Sequence, residues 1–317
     1  MSVHWIMLGK AINSSSLRLQ SFPAHYALLE CGIESHLTYV GNPSIWPETS
    51  RKINPSQELR GAQVVVIAKS FGDVALQYSI AAKEEGATLI TQLRTNNISV
   101  AKDNYQPLDI TDWIVTPFIN EHITEAIRRI NPSLINQPLV IPDPVETWLP
   151  SINECRDEPA HKKIALWIGR KRHLPSIQNV HLPSDWQLVT ISDTAEADHY
   201  WETSLAAQLI SECQAVVITN NYDSHLSGQS SPIRMINGFA CAKPVLAPPS
   251  PVYLKTAKDG KGWIACCSTT DYYQALEKLS DRKIRRAYGK AGRKIFEKMS
   301  HSDPATKWRQ FIQELLI

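Results

Sequence analysis

The segment 230–245 combines a helix start, an anion site and a positive side chain. Ser231 is a residue type that caps helices, and Pro232 suits the first helical position, where a missing N–H costs nothing. The unpaired N–H groups of a helix start, together with the positive end of the helix dipole, favour a phosphate. Arg234 lies in the first predicted turn, where its guanidinium can donate two hydrogen bonds to the same anion. The segment therefore predicts a site for a phosphate-bearing ligand.

A second group of cations follows the predicted strand 163–169, in the sequence Gly-Arg-Lys-Arg-His. In doubly wound folds, the turn after the first strand approaches the phosphates of a ligand. Glycine lets the backbone come close, and cations neutralise a diphosphate. We therefore expect Gly169 and Arg170 or Arg172 to act together with Arg234. An ordinary solvated basic turn is the alternative interpretation of this composition.

The composition is that of a globular protein. Its 317 residues suit two domains of ordinary size, and 43% hydrophobic with 20% charged residues predicts a sizeable core. A net charge of +2 is too small to indicate a nucleic-acid partner. No run approaches the roughly 18 apolar residues of a membrane span. The N-terminus enters a predicted strand without the layout of a signal peptide, so we expect a cytoplasmic protein.

The six cysteines show no paired spacing typical of metal ligands. Cys266 and Cys267 are adjacent, and on a strand they would point to opposite faces, which makes them poor joint ligands. We expect reduced, mostly buried thiols and no metal site.

Short apolar runs alternate with amphipathic helical stretches along the chain, which is the pattern of a parallel sheet covered by helices. In the first half we predict strands at 4–9, 35–40, 62–69, 87–92, 113–117 and 139–143. Helices are predicted at 17–31, 74–85 and 119–130, the first two of which end at glycines suited to a left-handed helix stop, Gly32 and Gly86.

A proline-rich stretch with little periodicity separates two such patterns. We therefore expect a first domain at 1–144, a linker at 145–160 and a second domain at 161–317. In the second half, strands are predicted at 163–169, 186–192, 215–220, 243–247 and 263–267, and helices at 204–212, 232–242, 271–279, 282–298 and 303–316. Two doubly wound α/β domains predict a cleft between them, with ligands at the carboxyl ends of the strands.

These residues resemble the GT-B glycosyltransferases, particularly the large retaining class numbered four. The stretch 230–247 is similar to that family's donor-site helix, Ser-Pro-x-Lys/Arg-x-x-Glu-Ala-Met-Ala-x-Gly-x-Pro-Val. The stretch 14–18 is similar to its Ser-Ser-x-x-Arg loop, 140–145 to its interdomain hinge, and 287–308 to its closing helices. The resemblance implies two Rossmann-like domains facing across a cleft, with the donor on the second and the acceptor on the first. It also allows the last helix to pack back on the first domain.

The sequence departs from the family pattern where that pattern has carboxylates. Gln229 and Asn237 stand in place of two glutamates, and the stretch 92–96 has no acid where relatives carry an Asp-x-x-Asp-Asp motif. Ala242 stands in place of a glycine, which we interpret as a mild change. Two interpretations remain: a strongly anionic donor or acceptor, which nearby carboxylates would repel, or loss of catalysis with binding retained.

The resemblance implies transfer of a sugar from a nucleotide-sugar donor to a carbohydrate or lipid-linked glycan acceptor, a reaction of the EC 2.4 type. The residues expected to bind the donor are Gly169, Arg170, Arg172, Asn220, Gln229, Ser231, Arg234 and Asn237. The catalytic group is not identified, and the candidates are His122 and Arg18. The cationic side chains can neutralise the leaving diphosphate as a divalent ion would, so no metal or cofactor is expected.

The resemblance implies a setting in bacterial surface or capsular polysaccharide assembly, in the cytoplasm or at the inner face of the membrane. The basic helix 282–298 suggests a peripheral contact with anionic lipids, and a solvated helix face is the alternative. Retention and inversion both remain open. A protein that binds a nucleotide sugar or a partner without turnover is the first functional alternative. An NAD-linked oxidoreductase or a nucleotide-sugar epimerase is the second, although no Gly-x-Gly-x-x-Gly follows the first predicted strand.

Overall fold

The fold contains two separate parallel sheets of six strands each. The computed structural model defines residues 2–8, 20–40, 53–68, 72–93, 106–117, 121–143, 145–146, 148–158, 161–219, 232–258, 260–299 and 303–317. The chain divides into one unit made of Met1–Pro144 and His301–Ile317, and a second made of Val145–Ser300. Each unit contains one of the sheets.

The strands of the first sheet are β1 (Ser2–Leu8), β2 (Glu34–Val40), β3 (Val64–Ala68), β4 (Thr88–Gln92), β5 (Trp113–Thr116) and β6 (Leu139–Val140). Those of the second are β7 (Lys163–Ile168), β8 (Trp186–Ser192), β9 (His199–Tyr200), β10 (Ala215–Val217), β11 (Val245–Ala247) and β12 (Trp263–Ala265). Every pairing is parallel, in the orders β2-β1-β3-β4-β5-β6 and β12-β11-β10-β7-β8-β9.

The α-helices of the described residues connect and cover these strands. They are α1 (Phe22–Glu30), α2 (Pro55–Glu58), α3 (Asp73–Glu84), α4 (Glu121–Ile130), α5 (Leu174–Gln178), α6 (Thr203–Glu212), α7 (Ile233–Ala240), α8 (Pro251–Thr256), α9 (Thr269–Ser280), α10 (Arg282–Lys298) and α11 (Pro304–Leu315). None of them is long and apolar enough to cross a bilayer. The α/β class predicted from the sequence is confirmed.

The central strands are apolar because helices cover both faces of a parallel sheet. All residues of β3 are buried, and so are all residues of β10. The helices α1 and α3 end as predicted, because Gly32 and Gly86 adopt φ of +73° and +74°. In each case the next residue donates its backbone N–H to the last helical turn, which satisfies a carbonyl that the helix leaves open.

The last helix, α11, packs in the first unit, against α1 and the sheet. Trp308 is fully buried, and its ring meets that of Trp5 edge-on at a centroid distance of 5.0 Å. Phe311 makes a similar edge contact with Trp113, also at 5.0 Å. Each edge-to-face aromatic pair contributes about 0.5–1.5 kcal/mol beyond the burial of its rings. These contacts hold the C-terminal helix in the unit that contains the N-terminal strand.

The structure corrects two predictions at the ends of α7. Pro232 is the N-cap residue, with φ −72°, and the helix begins at Ile233, one residue later than predicted. At the other end, Ala242 has a positive φ of +50°, a left-handed conformation that favours glycine. Its N–H and that of Lys243 close the helix by bonding to the carbonyls of Phe239 and Gly238. Replacement of the family's glycine by Ala242 is therefore a strained change and not a mild one.

Candidate functional site

The second sheet contains a point where the chain changes its direction of winding. The strand β7 comes first in this unit and lies between β8 on one side and β10 on the other. Ligands of doubly wound folds bind outside the carboxyl ends of the strands at such a point. The segments that leave β7 and β10 there begin at Gly169 and Ile218. This edge of the second sheet is the candidate site.

The helix α7 connects β10 to β11, so its first turn lies at the same edge of the sheet. Arg234 is the second helical residue and is half-buried. Asn237 follows three residues later on the same side of the helix and is only 8% exposed. Met235 and Phe239 are fully buried and hold the helix against the sheet. The helix therefore presents a guanidinium and an amide at neighbouring positions.

The side-chain oxygen Oδ1 of Asn237 is buried and lacks a hydrogen-bond partner within the part of the chain that the structure describes. A buried acceptor left without a donor costs about 1–3 kcal/mol, so such groups are uncommon in folded proteins. A ligand hydroxyl or N–H that reaches this oxygen would remove that cost. This amide occupies the position of the second glutamate in the family motif that the sequence resembles.

Gly169 is required by packing within the unit. A Cβ atom at this position would lie 2.2 Å from the ring of Trp167, which is fully buried. The Gly169 N–H donates to the carbonyl of Ile191 at 3.0 Å, so it is used within the sheet. The glycine therefore has a structural reason that does not involve a ligand.

Two acidic residues accompany the cations that follow β7. Arg170 is exposed, and the Nζ atom of Lys171 forms an ion pair with Glu196 at 2.7 Å. Burial acts to raise the pKa of Asp193, but the backbone N–H of Lys171 and the nearby charge of Arg170 help to lower it below the usual range. Part of the positive charge of this turn is thus balanced inside the protein.

Thr219 is a residue of this edge that sequence reasoning missed. Its Oγ1 accepts a hydrogen bond from the indole Nε1 of Trp167 at 2.9 Å and another from Ser176 Oγ at 2.7 Å. Tyr272 Oη donates to the carbonyl of Ile218 at 2.7 Å. These bonds fix the end of β10 against β7 and α5, next to the segment that leads to α7. The partners are far apart in sequence, so no local pattern indicates them.

No family model matches the chain, and no curated protein sequence matches it. Solved structures do match. Sucrose-phosphate synthase from Thermosynechococcus elongatus is 12% identical, with a TM-score of 0.67 and 99% of each chain covered. HepE from Anabaena, solved with UDP-glucose, is 11% identical, with a TM-score of 0.66 and 99% coverage of both chains. The chain has the GT-B fold.

An α-glucosyltransferase solved with UDP also matches over 99% of this chain and 100% of its own, with 10% identity and a TM-score of 0.60. The similarity extends through both units of the GT-B fold. At these identities it establishes the arrangement of strands and helices. The chemistry has to be argued from the residues of this chain.

The predicted site residues fall into three groups in the GT-B fold. Four of them lie at the candidate edge of the second sheet: Gly169, Arg170, Arg234 and Asn237. For two others the structure describes only the position along the backbone: Arg172 is in the short 3₁₀ turn after β7, and His122 is in the first turn of α4. The remaining four lie outside the described residues: Arg18, Asn220, Gln229 and Ser231. Among the described residues, no group of three or more His, Cys, Asp or Glu side chains could hold a metal ion.

Proposed function

We propose that the protein is a glycosyltransferase that moves a sugar from a nucleotide-sugar donor to a carbohydrate or lipid-linked glycan acceptor without a metal ion. The observation that carries the proposal is that α7 carries Arg234 in its first turn and, three residues later, the buried Oδ1 of Asn237, which has no hydrogen-bond partner among the described residues. One side chain suits a phosphate and the other suits a hydroxyl, and a nucleoside diphosphate contains both groups. The nucleotides named with the structural neighbours support this ligand class.

Transfer breaks the bond between the anomeric carbon and the diphosphate oxygen, and the diphosphate leaves with the electron pair. The acceptor hydroxyl attacks that carbon and loses its proton. Negative charge therefore grows on the leaving group in the transition state, where fixed positive groups act most strongly. We assign this role to Arg234 and the start of α7, together with Arg170 or Arg172 from the turn after β7. The resemblance of 230–247 to the retaining class favours retention of configuration.

The amide at position 237 limits the charge around the leaving group. A glutamate placed about 4 Å from a phosphate would repel it by about 4 kcal/mol at an effective dielectric constant of about 20. Asn237 has no charge, so it can accept a hydrogen bond from a ribose hydroxyl without that repulsion. The site therefore suits a strongly anionic donor.

The proposal is tested by thermal denaturation with UDP, GDP, ADP and CMP, with and without a chelator. One nucleoside diphosphate should raise the melting temperature equally in both conditions. Its sugar conjugates should then release the sugar slowly in the presence of the protein and faster when an acceptor glycan is added. A shift that requires a divalent ion would contradict metal-independent binding, and no shift with any nucleotide would contradict the assigned site.

A second candidate function is binding of the nucleotide sugar without turnover. It is favoured by the amides at the two positions where related motifs carry glutamates, Gln229 and Asn237. The two functions differ in the products. Nucleotide binding with no sugar release and no transfer to any acceptor would establish the binding protein.

A further inference from the structure

A cavity of about 440 Å³ lies in the second unit, at the amino ends of the strands. Its lining includes the residues that lead into β10 and β11, among them Gln214 and Lys243. The opposite wall is the basic face of α10, which supplies Arg286, Lys290, Arg293 and Lys294. The candidate donor site lies at the carboxyl ends of the same strands. This cavity is therefore separate from it.

Two thiols line the cavity. Cys155 is half-buried and follows the 3₁₀ turn Ile152–Glu154, whereas Cys241 is buried and is the C-cap residue of α7. The Cys155 Sγ donates to the carbonyl of Ser151 at 3.5 Å, and both thiols face this one cavity. They are far apart in sequence, so the fold brings them together.

The segment that carries Cys155 is fixed in place on its C-terminal side. The N–H of Arg156 donates to the carbonyl of Ser211 at 2.7 Å. Asp157 accepts a hydrogen bond at 2.8 Å from Arg285, whose side chain is only 2% exposed. These anchors fix the segment that places Cys155 in the lining of the cavity.

The charges around the pair favour a thiolate on Cys155. Interaction with the Cys241 thiol is the main cause that lowers the pKa of Cys155 to about 7, and the positive charges of Lys243 and Arg293 act in the same direction. Burial and Glu154 oppose them. The same interaction, followed by burial, raises the pKa of Cys241.

Lys243 is held permanently at this position. Its side chain is only 4% exposed, and its ammonium donates to three backbone carbonyls, those of Arg156, Ser211 and Cys213. Three carbonyl acceptors offset the cost of burying the ammonium and fix its location. The thiol pair therefore has a fixed cation beside it, which is the environment of reactive cysteines.

We propose that Cys155 and Cys241 form a peroxide-sensitive dithiol, in which Cys155 is the attacking sulfur and Cys241 the resolving one. The Cys155 thiolate attacks a peroxide oxygen and forms an S–O bond. The O–O bond breaks, hydroxide departs, and Cys155 becomes a sulfenic acid. Cys241 then loses its proton to hydroxide and attacks the Cys155 sulfur. The S–O bond breaks, the S–S bond forms, and one peroxide and two thiols have become one disulfide and two waters.

The disulfide would join the segment 148–158 to the C-terminal end of α7. Arg234 lies in the first turn of the same helix, which has eight residues. Oxidation would thus cross-link the end of α7 that lies away from the candidate donor site.

The direct test is treatment of the full chain with hydrogen peroxide, followed by alkylation of the remaining thiols and peptide mass mapping. We expect a peptide pair linked through Cys155 and Cys241, two hydrogen atoms lighter than the reduced peptides and separable by dithiothreitol. Cys155→Ser should abolish it, whereas Cys267→Ser, which removes an exposed thiol of the same unit, should leave it unchanged. A disulfide to Cys213 instead, or unoxidised Cys155, would overturn the proposal.

A second test measures the pH dependence of alkylation of the reduced protein. The midpoint for Cys155 should lie near pH 7. At pH 6.5 such a thiol should react about fivefold faster than an equally accessible thiol of pKa about 8.5, after allowance for its lower intrinsic nucleophilicity. Cys241→Ala removes the neighbouring thiol that lowers the pKa of Cys155 and should move the midpoint upward. A wild-type midpoint near 8.5 would overturn the assignment, and this result does not depend on whether the variant folds.

Discussion

Replacing Arg234 with alanine should weaken the binding of a nucleoside diphosphate without unfolding the protein. Arg234 is half-buried in the first turn of α7, where its charge adds to the helix dipole. A hydrogen bond to a charged group contributes about 1.5–3 kcal/mol. The guanidinium can make two such bonds, and halving their sum for partial exposure gives an expected loss of about 1.5–3 kcal/mol, which corresponds to a roughly 10- to 150-fold rise in Kd.

Calorimetric titration can separate this effect from a general loss of structure. UDP, or whichever diphosphate stabilises the protein, is compared with its nucleoside, which has no phosphate. Arg234→Ala should weaken the binding of the diphosphate and leave the binding of the nucleoside unchanged. Arg234→Lys keeps the charge but loses the planar pair of donors, so it should lie between the wild type and the alanine variant.

The matched control is Arg286→Ala, which removes the same charge from an exposed position on α10. It should bind the diphosphate like the wild type. The reasoning is refuted if Arg234→Ala binds the diphosphate normally. It is also refuted if the variant loses the nucleoside and the diphosphate to the same extent.

Three further predictions concern stability. Ala242→Gly should raise the free energy of unfolding by about 0.5–1 kcal/mol, because the relief of a left-handed alanine, about 1–2 kcal/mol, exceeds the added freedom of glycine in the unfolded chain; a lower urea midpoint would contradict this. Lys243→Met should lower the free energy of unfolding by about 3 kcal/mol or more, because three buried carbonyls lose their donor. A loss below about 1 kcal/mol in urea denaturation would contradict this prediction. Burial, together with the charge of His36, lowers the pKa values of His4 and His25, so the unfolded chain binds protons that the native protein does not. Stability present above pH 6.5 should therefore be lost as the pH falls below it, and His25→Gln should flatten this slope in thermal denaturation; equal slopes would refute the assignment.

The features that the sequence predicts well are local. The fully buried β3 is a continuous apolar run, and the stops at Gly32 and Gly86 depend on one residue each. The sequence places the start of α7 one residue too early, because proline is typical of the first helical position whereas Pro232 is the N-cap residue here. Arg234 nevertheless lies in the first turn of α7, as the sequence predicts.

The features that the sequence does not predict depend on partners distant along the chain. Thr219 is an ordinary residue until the fold brings Trp167 to it. The glycine at position 169 suggested a phosphate turn, but the reason for it is the ring of Trp167 two residues earlier. Short elements such as β9, with two residues, carry too little pattern to be recognised. The counter-ion of Lys171, Glu196, becomes visible only in three dimensions.

The central claim is that a diphosphate binds at the start of α7. A crystal structure of the protein with the nucleoside diphosphate that stabilises it tests this most directly. The account predicts phosphate oxygens within hydrogen-bonding distance of the Arg234 guanidinium and of the backbone N–H groups in the first turn of α7, with a ribose hydroxyl on Asn237 Oδ1. A diphosphate bound elsewhere, with Arg234 turned away from it, would contradict the account.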